Sequence, residues 1–250
     1  ATGQTKYQQG FEPLMPGFRY ADFGSIESLE KVVGPQTIAV MIEPVQGEGG
    51  VRIASSDYFK SLRDFCNEHK LLLIFDEVQV GMGRTGTLFA YEQCGVRPDI
   101  MTLAKALGGG LPIGAMLARD GVAEAFQPGD HAATFGGGPF VTAVACEAVK
   151  AIIKEAVPNV QSLQAYLRSS LMDLAKEFRM IREVRGGGFI QALDLDREAR
   201  PLVLKFLEEG LLLNAVQPQT LRLLPPLITK KKEIDTAMAM MRKVFSNELV

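Results

Sequence analysis

Long apolar runs are missing. No stretch reaches the ~18–20 consecutive apolar residues that a membrane-spanning helix needs, so no membrane partner is expected. Cysteine is scarce. Cys66, Cys94 and Cys146 are odd in number and widely spaced, which indicates neither a disulfide framework nor a thiolate metal site. Histidine is scarcer still: His69 and His131 are too few for a histidine-rich metal centre or a histidine relay. Neither charge is in excess, with 27 Lys and Arg against 29 Asp and Glu. Without a basic run to follow a phosphate backbone, no nucleic-acid partner is expected. Internal repeats, low-complexity segments and a signal-peptide pattern are also lacking. A soluble, cytosolic protein is the expectation that survives. Its 250 residues, 47% of them hydrophobic, suffice for one large or two medium domains.

What is present alternates. Residues 1–36 read as loop and turn, with breaker clusters at Gly10–Pro13 and Pro16–Phe18. Thr37–Ile42 reads as a buried strand that Pro44 stops, and Val45–Val51 as a glycine-rich loop. Ser55–His69 carries Tyr58, Phe59, Leu62 and Phe65 at helical spacing. Leu71–Phe75 is a continuous apolar run, the mark of a parallel strand covered on both faces. Ile100–Leu103 and Ile113–Leu117 are further strands. Strands alternating with helices predict an α/β layer with a mostly parallel sheet.

From Pro139 the character changes. Thr142–Lys154 reads as a helix that Pro158 breaks, followed by a long amphipathic helix over Gln161–Phe178. Strands are expected at Ile181–Val184, Phe189–Leu195, Leu211–Asn214 and Leu221–Leu224, and helices at Arg200–Gly210 and Lys230–Phe245. This is a smaller α+β unit. The expected division is a large domain over 1–155 and a small C-terminal domain over 156–250.

Five places carry candidate chemistry. Lys105 stands in an apolar frame, Ile100 to Leu107. A lysine there either snorkels to water or, if buried, becomes a nucleophilic amine suited to carbonyl compounds. Asp76 ends the strand Leu71–Phe75, where open α/β sheets place their ligands. Along an extended strand Asp76 and Val78 face one way and Glu77 the other. That face suits a protonated heteroaromatic ring lying on Val78 with its N–H on Asp76; a helix cap or ion pair is the alternative. A magnesium-binding Asp76-Glu77 pair is disfavoured because no phosphate-cradling GxxxxGK[ST] loop accompanies it. Glu43 and Glu48, five apart on a glycine loop, read as a paired acid–base site or as solvated carboxylates. Thr134 to Pro139, glycine-rich before a helix, reads as an anion site or a plain N-terminal cap. Arg222, in an otherwise apolar strand, suits bidentate recognition of a carboxylate or a structural salt bridge.

Several segments together resemble the class III pyridoxal-phosphate aminotransferases of fold type I. They are GFEPLMPGFRY (10–20), EPVQGEGGV (43–51), FDEVQVGMGRTGTLFAYEQCGVRPDI (75–100), TLAKALGGGLPIGAM (102–116), HAATFGGGP (131–139) and LRLLPP (221–226). The resemblance implies pyridoxal 5'-phosphate as cofactor and a homodimer. It makes Lys105 the lysine that binds the cofactor aldehyde and moves the proton. Asp76 becomes the partner of the ring nitrogen, Val78 the residue on the ring face and Gln79 the partner of the ring hydroxyl. Thr134 would reach the cofactor phosphate from the partner subunit. Glu48 would be a gate that pairs with Arg222 and releases it to clamp the α-carboxylate of 2-oxoglutarate or glutamate. The implied reaction is ping-pong transamination between an amino acid and a 2-oxo acid. N-acetylornithine is the expected donor, with ornithine, succinyl-diaminopimelate or 4-aminobutyrate as alternatives. Gly138 departs from the Asn common in the family. The resemblance also implies that the chain corresponds to the C-terminal three-fifths of such an enzyme, without the upstream loop that grips the cofactor phosphate and the aromatic that stacks on the ring. A non-catalytic remnant acting as a folding or dimerisation module is the reading from another class.

Overall fold

The structure, a computed structural model, describes residues 2–248. A four-stranded sheet has the order β1 (Ala39–Ile42), β4 (Leu72–Asp76), β5 (Ile100–Leu103), β6 (Ala115–Ala118). The first three strands run parallel and β6 is antiparallel. Between β1 and β4 lie a two-residue-strand hairpin, β2 (Val45–Gln46) and β3 (Arg52–Ile53), and helix α3 (Ser56–Glu68). Ser55 caps α3 by accepting from the Tyr58 N–H at 3.1 Å. The apolar positions of α3, Phe59, Leu62, Phe65 and Cys66, then bury against Leu71, Leu73 and Phe75 of the β4 segment. Burying both faces of β4 explains why its sequence does not alternate.

The second sheet is wholly antiparallel. Its order is β7 (Ile181–Gly187), β8 (Ile190–Leu195), β10 (Thr220–Leu223), β9 (Asn214–Gln217). Alternation divides its faces. Leu193, Leu195, Leu221 and Leu223 pack on helices α7 (Val157–Glu177), α8 (Arg200–Glu208) and α9 (Lys231–Asn247) in the largest core cluster. On the other face Ile190 and Ala192 meet Val45, Val51, Val80 and Ala90 from the parallel-sheet side. Arg222 pairs with Ala192 across the ladder, so it shares that second face.

Four expectations are corrected. Residues 1–36 hold two short helices, α1 (Thr5–Gln8) and α2 (Ile26–Glu30); Ser25 caps the second through Ser28 N–H. The 45–51 loop is flanked by the β2–β3 pairing, Val45 against Ile53 and Gln46 against Arg52. Pro158 breaks nothing. Helix α6 (Pro139–Ala151) runs through a π-turn over Ile152–Ala156 directly into α7. The wider turn removes the demand for the N–H that proline lacks. Strand β9 begins at Asn214, not Leu211. Gly210 adopts φ +85 and the Leu211 N–H returns to Phe206 O at 2.8 Å, so a left-handed helix cap consumes the residues expected to be strand.

Candidate functional site

The carboxyl ends of β1, β4 and β5 stand side by side, in register Ile42 with Phe75 and Asp76 with Thr102. This edge of the parallel sheet meets the Arg222 face of the antiparallel sheet. A cavity of about 310 Å³ lies between them, and Glu48, Val78, Gln79, Lys105 and Arg222 all line it. Residues far apart in sequence thus converge on one space from two sheets.

Asp76 and Glu77 separate as strand geometry demands. Asp76 Oδ1 accepts from the Val78 N–H at 3.0 Å and from Thr102 Oγ1 at 3.3 Å. Asp76 is half-buried on the strand end beside the cavity and does not itself line it. Glu77 is 1% exposed and accepts from the Ala90 and Tyr91 N–H groups at 2.6 and 2.7 Å, capping the short helix α4 (Tyr91–Cys94). Burial pushes its carboxyl up to about 7, against the pull of those two N–H groups. Glu77 is therefore structural.

Lys105 follows β5 and opens a 3₁₀ turn over Lys105–Gly108. Its φ is +50, a left-handed conformation that a side-chain-bearing residue enters at a cost of about 1 kcal/mol. Of the two readings of this lysine, the structure shows the one that keeps the amine in water: Lys105 is exposed, at the mouth of the cavity. Its apolar neighbours Met101, Leu103 and Leu107 turn into the core cluster instead and leave the ammonium in water.

Arg222 is 6% exposed. Its Nη1 donates to Glu48 Oε1 at 2.6 Å and to Gln79 Oε1 at 3.0 Å. Its Nε is buried with no hydrogen-bond partner among the described residues. Gln79 is seated by Gly47, where a Cβ would stand 1.8 Å from Gln79 Oε1. No side chain larger than hydrogen fits at 47 with Gln79 in place.

Glu43 holds the Gly47 N–H at 3.2 Å. Burial raises its carboxyl, reinforced by Asp76 and Glu48 and opposed by the Gly47 N–H and Lys105. Glu43 and Glu48 are not a solvated pair: one sits at the strand end and the other on Arg222. Thr134 lies in an exposed turn before α6 and does not line the cavity. Gly138 is the N-cap position of that helix, without a side-chain cap.

Arg84 escaped the sequence reading. It lines the cavity, donates to the carbonyls of Phe189 and Pro225, and loses proton affinity to about 10 through burial. Gly188 answers it. A Cβ there would meet Arg84 O and Thr85 C at 2.5 Å, so glycine is required for the two sheets to close on each other. The run GMGRTG was visible, but its partners are carbonyls of the distant segment.

The aminotransferase class-III family model matches residues 1–245 of the chain. The acetylornithine aminotransferase of Methanocaldococcus jannaschii is 46% identical over 98% of this chain, which covers 62% of that protein. The N-acetylornithine aminotransferase of Stenotrophomonas maltophilia superposes with TM-score 0.85 at 39% identity, covering 93% of this chain and 63% of that one. The ornithine aminotransferase of Toxoplasma gondii superposes with TM-score 0.92 at 34% identity, covering 98% and 60%. The chain thus spans about three-fifths of the length of these relatives. On the match of its motifs, its fold and nearly every residue of its length, the chain belongs to the class III aminotransferase family.

Proposed function

We propose that this chain forms the substrate-facing part of a transaminase that takes N-acetylornithine and 2-oxoglutarate to N-acetylglutamate 5-semialdehyde and glutamate. The observation that carries the reading is the Glu48–Arg222 pair, 2.6 Å apart on the wall of the cavity that Lys105 also lines. Relatives named acetylornithine aminotransferases, 42–47% identical, support the donor.

Pyridoxal phosphate fits the donor set: a primary amine at a cavity, a carboxylate on the neighbouring strand end, an apolar face between them and an amide beside it. When bound, this cofactor supplies an electron sink next to the amine-bearing carbon. Lys105 would hold its aldehyde and carry the proton at that carbon. Asp76, already fixed by Val78 N–H and Thr102, would keep a proton on the ring nitrogen. Val78 offers the flat apolar face and Gln79 a hydrogen bond to the ring hydroxyl. Arg222 would receive a carboxylate once Glu48 swings away, because the Nη1 N–H now given to Glu48 is then released while Nη1 stays anchored on Gln79. An amino donor bearing its α-carboxylate farther off leaves the pair closed, so one cavity serves both halves of the exchange. Thr134, on its exposed turn, would serve the phosphate of a partner subunit in a homodimer.

The test uses the longest reading frame that contains this chain. Added pyridoxal phosphate should produce a visible absorption band that bleaches with glutamate. Lys105→Ala should lose the band and at least about 10³-fold in turnover. Glu48→Ala should shift preference about tenfold from N-acetylornithine toward glutamate. A panel with ornithine, succinyl-diaminopimelate and 4-aminobutyrate decides the donor. No band and no turnover with any donor would leave the non-catalytic reading.

A further inference from the structure

Glu48 can exchange partners in two ways. The whole glycine loop moves, or the loop stays and only the side chain rotates. The loop's own bonds are poor: Gly50 N–H and Val51 N–H both reach Gly47 O at a long 3.4 Å. Its backbone is also strained. Gly50 has φ +103, and Val51, a β-branched residue, has φ +55 while fully buried. Locally, Glu43 accepts from the Gly47 N–H and Arg52 Nε donates to the Gly49 carbonyl, each at 3.2 Å, which leaves the carbonyls of Glu48 and Gly50 at the tip without a local partner.

Two side chains of the antiparallel sheet hold it from outside. Gln217 on β9 donates from Nε2 to the carbonyl of Glu48 at 2.7 Å. Arg185 on β7 donates from Nε to the carbonyl of Gly50 at 3.0 Å. The Arg185 guanidinium is itself anchored, to Glu183 at 2.7 Å, Asp194 at 3.1 Å and Thr220 Oγ1 at 3.3 Å. Thr220 in turn donates to Asp194 at 2.9 Å. Gly50 has no side chain to hold the clamp off: a Cβ there would lie 3.4 Å from both Arg185 Nη2 and Gln217 Cγ. Thr220 pairs with Gln217 and is two residues from Arg222 on β10. One sheet therefore holds both members of the Glu48–Arg222 pair, the arginine by its strand and the glutamate by its backbone.

We propose that Arg185 and Gln217 are positioning residues that immobilise the 47–51 loop, so that Glu48 gates Arg222 by side-chain rotation alone and the clamp sets donor selectivity. The selectivity half rests on the proposed transaminase reading; the clamp half does not.

Hydrogen exchange on the longest reading frame that contains this chain, without amino donor, tests the clamp. Gln217→Ala and Arg185→Lys should each speed exchange of the 47–51 amides about tenfold, with the Leu193 and Leu221 amides of the sheet core unchanged. Gln217→Glu keeps the size, lacks the N–H and should behave as Gln217→Ala. Unchanged loop exchange in all three variants overturns the proposal. In the longest reading frame, Gln217→Ala should lower kcat/KM for N-acetylornithine relative to glutamate about fivefold, mostly through KM, with the visible band intact. A merely structural role would lower both donors equally, and that result overturns the selectivity half. If the unaltered enzyme turns over no donor, the transaminase reading and the selectivity half fall together. The exchange rates then decide the clamp alone.

Discussion

The two sheets bring charge to one cavity by opposite means. The parallel sheet offers its groups at strand ends and in the turns beyond them: Asp76 is half-buried, Lys105 is exposed, and each depends on a local turn to be aimed. The antiparallel sheet offers Arg222 from mid-strand, where it is nearly sealed and held by its neighbours. A strand end can carry reactive groups without disturbing the core beneath it. A mid-strand charge must be surrounded by partners, and the network that satisfies it also fixes it. On the proposed reading the reactive groups therefore belong to the edge of the parallel sheet, and the fixed reference point to the antiparallel one.

The largest test of that contrast is a core deletion. Leu193 is fully buried in the middle of β8, on the helix-facing side of the sheet that carries Arg222 on its other face. Leu193→Ala should cost about 3–4 kcal/mol in urea unfolding, and the Glu48–Arg222 geometry should fail with it. A loss under about 1 kcal/mol would mean that the antiparallel sheet is not the rigid member.

Most of this architecture was legible, and the reason is local. Each motif at the parallel sheet surrounds a single strand end, so the residues proposed to act together are neighbours in sequence: Asp76, Val78 and Gln79 lie within four positions, and Lys105 two residues past β5. Alternation placed Glu77 away from Asp76 before any coordinates. Two illegible contacts share one property, a bond to a backbone carbonyl of a distant segment. Arg84 to Phe189 and Gln217 to Glu48 are of this kind, and every residue presents the same carbonyl. The exposure of Lys105 was left open because apolar flanks fit burial as well as snorkelling; the turn at φ +50 decides it by sending flanks and amine to different sides. The uninterrupted α6–α7 passage was missed because a π-turn leaves no mark in composition.

Glu77 sharpens the comparison from the parallel side, as a carboxylate at a strand's carboxyl end that is committed to the core. Its folded value near 7 lies above its ordinary 4.5, so the folded state holds the proton more tightly than the unfolded chain. Below about pH 4.5 both states are protonated and nothing is lost. Between about 4.5 and 7 the unfolded chain ionises first, so stability falls as pH rises, by on the order of 3 kcal/mol at the plateau above 7. Denaturant titrations at pH 5 and 8 should show this fall in the native chain and a flatter profile in Glu77→Gln. A native profile that rises with pH over this range would show that the two N–H bonds outweigh burial.

Val78 gives the smallest expected change. It is half-buried, faces the cavity and belongs to none of the buried clusters. Removing two methylene equivalents from a partly wet surface should cost under about 1 kcal/mol of stability, several-fold less than Leu193→Ala. The loss should appear in ligand affinity: Val78→Ala should weaken binding of pyridoxal phosphate, read from the visible band, by about tenfold if a flat ring rests on it. The pair of substitutions thus separates the two sheets by readout as well as size, since one moves the urea midpoint and the other the cofactor titration. If Val78→Ala moved the urea midpoint as far as Leu193→Ala does, the strand end would be part of the core, and the division between reactive edge and rigid reference would fail.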